Sequence, residues 1–252
     1  MNHQMDPQKL AKITGWLFLA TFATSIPARL LFVNGLGASW NDMRFIPGAG
    51  SDTAMYFGAI LEFLLIVTSL GTAIFLYPIV KRQSEVGALG YVSARVVENA
   101  FILVGLISII SVVTVREDLV GASGAEAASL TAAGSTLVNT YEWAFLFGPG
   151  LVAGIGNGLI LGYLMYRSGL IPPRMAMLGL IGGPLLAVGF VCVLFGVFET
   201  GSWGQAATTA FEFVWELSFG IYLVVKGFRP SAVASLQTRD ATGRVDPALS
   251  AS

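Results

Sequence analysis

Six long apolar runs alternate with short polar stretches along the chain, at 13–33, 54–80, 87–115, 137–166, 175–198 and 206–228. A membrane-crossing helix needs about 20 predominantly apolar residues, and every run reaches that length. None alternates with period two, so the pattern predicts an all-α integral membrane bundle of six transmembrane helices. Lys9 and Lys12 precede the first run, and small residues follow at 23–25, as in a signal peptide. The run continues past Pro27 and Arg29 into more apolar residues, which makes it a span. The chain divides into an N-terminal tail (1–12), the six-helix domain (13–228) and a C-terminal tail (229–252). That last tail is polar and low in aromatics, so it is expected to be flexible. The glycine-rich stretch 35–52 and the small-residue stretch 116–135 are expected to be loops, the second a flexible one. Tight turns are expected at 81–86 and 167–174. Pro149 and Pro184 are expected to kink or open their helices.

The distribution of Lys and Arg orients this bundle. Lys9, Lys12, Lys81, Arg82, Arg167, Arg174, Lys226, Arg229, Arg239 and Arg244 fall on one set of connections. Arg29, Arg44 and Arg116 fall on the other. Both termini are therefore expected to be cytoplasmic. Trp16, Trp40, Trp143, Trp203, Tyr77 and Tyr166 lie near span ends, as an aromatic belt would place them.

Composition fits the same class. The chain is 55% hydrophobic and only 12% charged, against about 25% charged in ordinary soluble domains. A net charge of −1 gives no reason to expect a nucleic-acid partner. Cys192 is the only cysteine, so no intrachain disulfide can form. His3 is the only histidine and sits in the polar tail, which leaves no intramembrane histidine to ligate a haem or a zinc ion. All six aspartates (Asp6, Asp42, Asp52, Asp118, Asp240 and Asp246) lie outside the apolar runs, which removes an aspartyl dyad. Nucleotide-binding and serine-hydrolase motifs are absent as well. No cofactor, metal ligand set or catalytic residue is assigned.

Charges inside the apolar runs carry the functional signal, because each costs roughly 2.5–3.5 kcal/mol at a helix centre on insertion scales. Arg95 and Glu98 are one turn apart on the third run. They read as a structural ion pair or as part of a polar pocket. Glu212 and Glu216 share a face of the sixth run, with Glu216 near mid-membrane. Two like charges this close in a dry site do not both ionise, and such a pair can hold a proton or a cation. Alternatively, one of them pairs with Arg95 or Arg29. Arg29, Glu62 and Glu142 lie toward the outer ends of their spans and, with Glu212, are candidates for a second, outward-facing cleft. Gly150, Gly154, Gly158 and Gly162 repeat every four residues, a helix-packing stripe for use within the bundle or for homodimerisation. Asn157 lies beside that stripe.

Three stretches, 91–106, 156–183 and 211–228, resemble the domain-of-unknown-function 4386 family of multi-spanning membrane proteins, mainly of bacteria. The most specific parts are Arg95 with Glu98, residues 163–174, and Glu216 through Lys226, Gly227 and Phe228. The resemblance implies six membrane helices and a location in the plasma (inner) membrane. It brings no activity, ligand or catalytic residue with it. The lipid bilayer is the one partner implied directly; a homo-oligomer or another membrane partner stays open, as does any small-molecule ligand. A small transporter or permease with a polar intramembrane site is the preferred reading. The alternatives are a membrane scaffold or regulatory subunit and, last, an intramembrane enzyme acting on lipid.

Overall fold

The computed structural model describes residues 5–40 and 42–243. Among these, six helices are long and apolar enough to cross a membrane: α1 (Pro7–Leu36), α2 (Asp52–Val80), α3 (Glu85–Leu119), α4 (Gly124–Ser168), α5 (Pro173–Leu194) and α6 (Trp203–Val225). A shorter helix, α7 (Pro230–Gly243), follows. Their starts are set locally. The Asp6 side chain accepts a hydrogen bond from the Gln8 amide, with Pro7 opening α1. Ser51, Ser84 and Ser202 cap α2, α3 and α6 in the same way.

Three expectations from the sequence are corrected. Residues 124–135 form the first turns of α4 and are not a loop. The N-terminal tail is already helical from Pro7. Much of the C-terminal tail is helical too, with Leu236 of α7 buried beside Phe228 in the terminal-side core. Residues 244–252 and His3 lie outside the described residues. Between α1 and α2, Met43 and Phe45 are buried. Phe45 packs on Gly134, while Arg116 bonds both Asp52 (2.8 Å) and the Gly35 carbonyl (2.7 Å).

The six spans close into a ring in chain order, α6 returning to pack on α1. Glycines set the closest approaches. Gly154, Gly158 and Gly162 of α4 face α5; a Cβ on Gly154 would lie 2.8 Å from the Gly183 carbonyl oxygen, and one on Gly162 would lie 3.1 Å from the Leu180 amide. Gly150 faces no other helix and lines a cavity. Large apolar side chains such as Trp16, Ile74, Ile107 and Val188 point outward, where lipid is the solvent.

Two large apolar cores lie at different heights in the ring, and a small cluster of Leu146, Phe190 and Val193 joins α4 to α5. One lies toward the termini and includes Leu10, Phe18, Tyr91, Trp215 and Phe219. The other lies toward the longer loops and includes Phe32, Ile102, Ile109 and Tyr141. Between them runs a layer of polar side chains: Thr21, Ser69, Arg95, Glu98, Asn99, Asn157 and Glu212.

At the height of this layer α4 changes its winding. Leu146–Val152 and Gly154–Leu161 are π-helical. Pro149 has no amide hydrogen to give to the α-helical ladder, which accounts for a break here. Helix α5, by contrast, stays continuous across Pro184.

Candidate functional site

A cavity of about 250 Å³ occupies the polar layer, and all six spans contribute to its wall. Arg95 and Glu98 line it from α3, and Glu212 and Glu216 from α6. The four ionisable residues singled out by their place in apolar runs therefore meet around one space. Thr21 and Ser25 of α1, Ser69 of α2 and Thr209 of α6 add hydroxyls. Phe22, Phe145, Leu186 and Phe213 supply carbon surface.

The charges are not equivalent. Arg95 Nη1 donates to both Glu98 oxygens, at 3.1 and 2.8 Å. Its guanidinium lies over the rings of Phe18 and Tyr91, at 5.5 and 6.0 Å from their centroids. Tyr91 and Thr72 hydroxyls are 3.2 Å apart behind it. Asn99 Nδ2 donates to Ser69 Oγ at 2.8 Å, bracing α3 on α2. Arg95 is thus held by its own helix neighbour.

Glu216 is half-buried and accepts a hydrogen bond from Asn157 Nδ2 of α4. The backbone carbonyl of that same Asn157 accepts from Trp215 Nε1 at 3.0 Å. Adjacent residues of α6 therefore grip one residue in the π-helical stretch. Glu212 is 4% exposed, and neither carboxylate oxygen has a hydrogen-bond partner. Its Oε2 sits against two glycines: a Cβ would come within 2.6 Å of it from Gly158 and 2.8 Å from Gly182. Among the described residues no ion pair includes Glu212 or Glu216, contrary to the alternative that Arg95 or Arg29 would neutralise one of them.

The outer group divides. Arg29 and Glu142 form an ion pair between α1 and α4, and both line a second cavity of about 230 Å³ nearer the loops. Glu62 does not reach that cavity. It is buried beside Tyr141, within electrostatic range of Arg29. Glu212 belongs to the central cavity only, so the expected four-residue outer cleft is not formed.

Phe145, Pro149, Leu186 and Thr209 line both the central and the Arg29–Glu142 cavities and so stand between them. A third cavity, also about 230 Å³, shares Glu142, Leu146 and Thr200 with the second and carries the sequence of spaces on to Asp42 and Trp143 at the loop end. Aromatic side chains pack on the terminal side of the polar layer. Phe18 meets Phe219 edge-on at 5.2 Å, and Phe219 stacks on Trp215 at 4.9 Å. The hydroxyl and aromatic lining carried no signal in the sequence, because Thr, Ser and Phe are ordinary in any apolar run. Asn157 did stand out, as an amide beside a glycine stripe.

The geometry defines a multi-pass membrane protein: six helices in a ring around a polar cavity, with further cavities toward the loop end of the bundle. Residues 13–227 match the family model described as Domain of unknown function (DUF4386), and the chain belongs to that family. No curated protein and no solved structure matches the chain.

Proposed function

We propose that this protein is a small transporter of the plasma (inner) membrane that carries its solute through the central cavity by alternating access. One observation carries the reading. Four ionisable side chains face a single intramembrane cavity, with further cavities toward the loop end and aromatic packing toward the termini. Intramembrane ionisable groups around a cavity are the usual mark of a substrate or ion path, and a site open to one side only is what one half of a transport cycle requires. By the Lys/Arg bias the loop end is the outer one. A scaffold needs no such cavity, and the glycine stripe that favoured a scaffold is taken up by α5 at Gly154, Gly158 and Gly162.

Sided thiol labelling tests this. Ser25 lines the central cavity, and Cys192 is the only native cysteine. In a Cys192→Ser background, Ser25→Cys is expected to react with a membrane-impermeant maleimide from the loop face. It is also expected to react, more slowly, from the terminal face in inverted vesicles. Reaction from the loop face alone, under every ionic condition tried, would indicate a one-sided pocket and defeat the transport reading.

A further inference from the structure

From the chemistry of the cavity wall we infer that the ligand of the Glu212–Glu216 site is a small organic cation, such as a substituted amine, held by carboxylate charge at one end and aromatic carbon around it. The inference rests on the transport reading of this cavity as the solute site and deepens it by naming the ligand's chemistry.

The sign of the charge follows from the pairing. Three carboxylates face one guanidinium, and Arg95 spends its charge on Glu98 at 2.8 Å. Among the described residues neither Glu212 nor Glu216 forms an ion pair; Arg95 lies within electrostatic range of both but is paired with Glu98. Glu212 is the more telling of the two. It is buried, lines the cavity and has no hydrogen bond to either oxygen. A carboxylate taken out of water without a partner is costly, and a cation delivered into the cavity would relieve that cost. An anion would instead meet a wall on which three carboxyl groups outnumber one guanidinium.

Size and lining distinguish an organic cation from a metal ion. A volume of about 250 Å³ is room for roughly eight waters, far more than one bare ion needs. Among the described residues no group of three or more His, Cys, Asp or Glu could hold a metal. Half of the lining residues are apolar, and Phe22 and Phe213 meet edge-on at 5.1 Å among them. Aromatic faces attract a weakly hydrated ammonium and favour it over a small, strongly hydrated ion. Phe145, Pro149, Leu186 and Thr209 are shared between this lining and the neighbouring loop-side cavity.

Benzyltrimethylammonium is a suitable probe, with neopentylbenzene as its uncharged isostere, benzoate as an anion and sodium chloride as the inorganic cation. Titration calorimetry and thermal denaturation of the purified full chain are expected to show saturable binding and stabilisation by benzyltrimethylammonium alone. Affinity is expected to fall at least tenfold in Glu216→Gln and in Glu212→Gln. Stabilisation by benzoate or neopentylbenzene equal to that by the cation would overturn the inference. So would an equal response to sodium, or wild-type affinity in both Gln variants. Should a variant fail to fold, the wild-type comparison of the cation with its isostere still decides whether charge is required. Cation binding with one-sided Ser25→Cys labelling would leave the ligand class standing and remove transport. Two-sided labelling with no cation binding would do the reverse.

Discussion

Replacing Gly182 with alanine probes the tightest part of the site. A Cβ at Gly182 would lie 2.7 Å from the Glu212 amide nitrogen, 2.8 Å from Glu212 Oε2 and 3.0 Å from Glu212 Cα. Carbon needs about 3.5 Å or more, so α5 and α6 must part by close to an ångström. Two of the three atoms are backbone, and turning the Glu212 side chain relieves only the third. Overpacking of this kind costs about 1–3 kcal/mol, while the better helix propensity of alanine returns close to 1 kcal/mol. Contacts against backbone place the cost in the upper part of that range, about 2–3 kcal/mol, so the expected net loss is about 1–2 kcal/mol, or a fall in Tm of about 2–8 °C for a chain of this size. Gly90→Ala is the control, since its Cβ would meet only Ile160 Cδ1, at 3.6 Å. It is expected to be neutral or mildly stabilising. Thermal denaturation of both variants in the same detergent makes the comparison. Equal Tm values would refute the reasoning, because they would mean that α5 and α6 are not pressed together around the Glu212 carboxylate.

Two further outcomes follow from the ion pairs. Arg95→Gln strands Glu98 in the polar layer and is expected to cost about 3–5 kcal/mol, whereas Arg95→Gln with Glu98→Gln should recover more than half of that loss in a Tm series. Arg29 and Glu142 are partly exposed at the second cavity, so a double-mutant cycle on Arg29→Gln and Glu142→Gln is expected to return a coupling of only about 1 kcal/mol. A coupling several times larger would show the pair to be sealed from water.

The site was legible to the extent that it is made of charges in the wrong solvent. Arg95, Glu98, Glu212 and Glu216 stand out in apolar runs because lipid tolerates them poorly, and all four line one cavity. The i,i+3 spacing also identified the Arg95–Glu98 pair. Depth was readable, but rotation about the helix axis was not. Glu62 and Glu142 stand at similar heights, yet one turns into the core beside Tyr141 and the other lines a cavity. The start of α4 was missed because hydropathy was weighed above propensity. Residues 124–135 are too polar to look like a span, but they are rich in alanine, the best helix former. The π-helical winding of α4 had one local sign, Pro149, and proline more often bends a helix than rewinds it.

The rewinding matters because it ties α4 to the carboxylates. Trp215 holds the Asn157 carbonyl at 3.0 Å, while the Asn157 side chain holds Glu216. Trp215→Phe removes the first bond and leaves a buried carbonyl without its donor, at a cost of about 1–3 kcal/mol. Asn157→Leu keeps that carbonyl but takes the donor from Glu216, a loss of similar size. If the two bonds only happened to be adjacent, the double variant would lose the sum, within the roughly 0.3–0.5 kcal/mol typical of independent sites. The grip instead spans neighbouring residues on one helix and a single residue on the other. Breaking either bond lets α4 slide against α6 and weakens the second, so the combined loss is expected to fall short of the sum by more than that margin. Strict additivity would mean that the register of α4 is set elsewhere, by Gly154 and Gly158 against α5, and that Asn157 serves Glu216 alone.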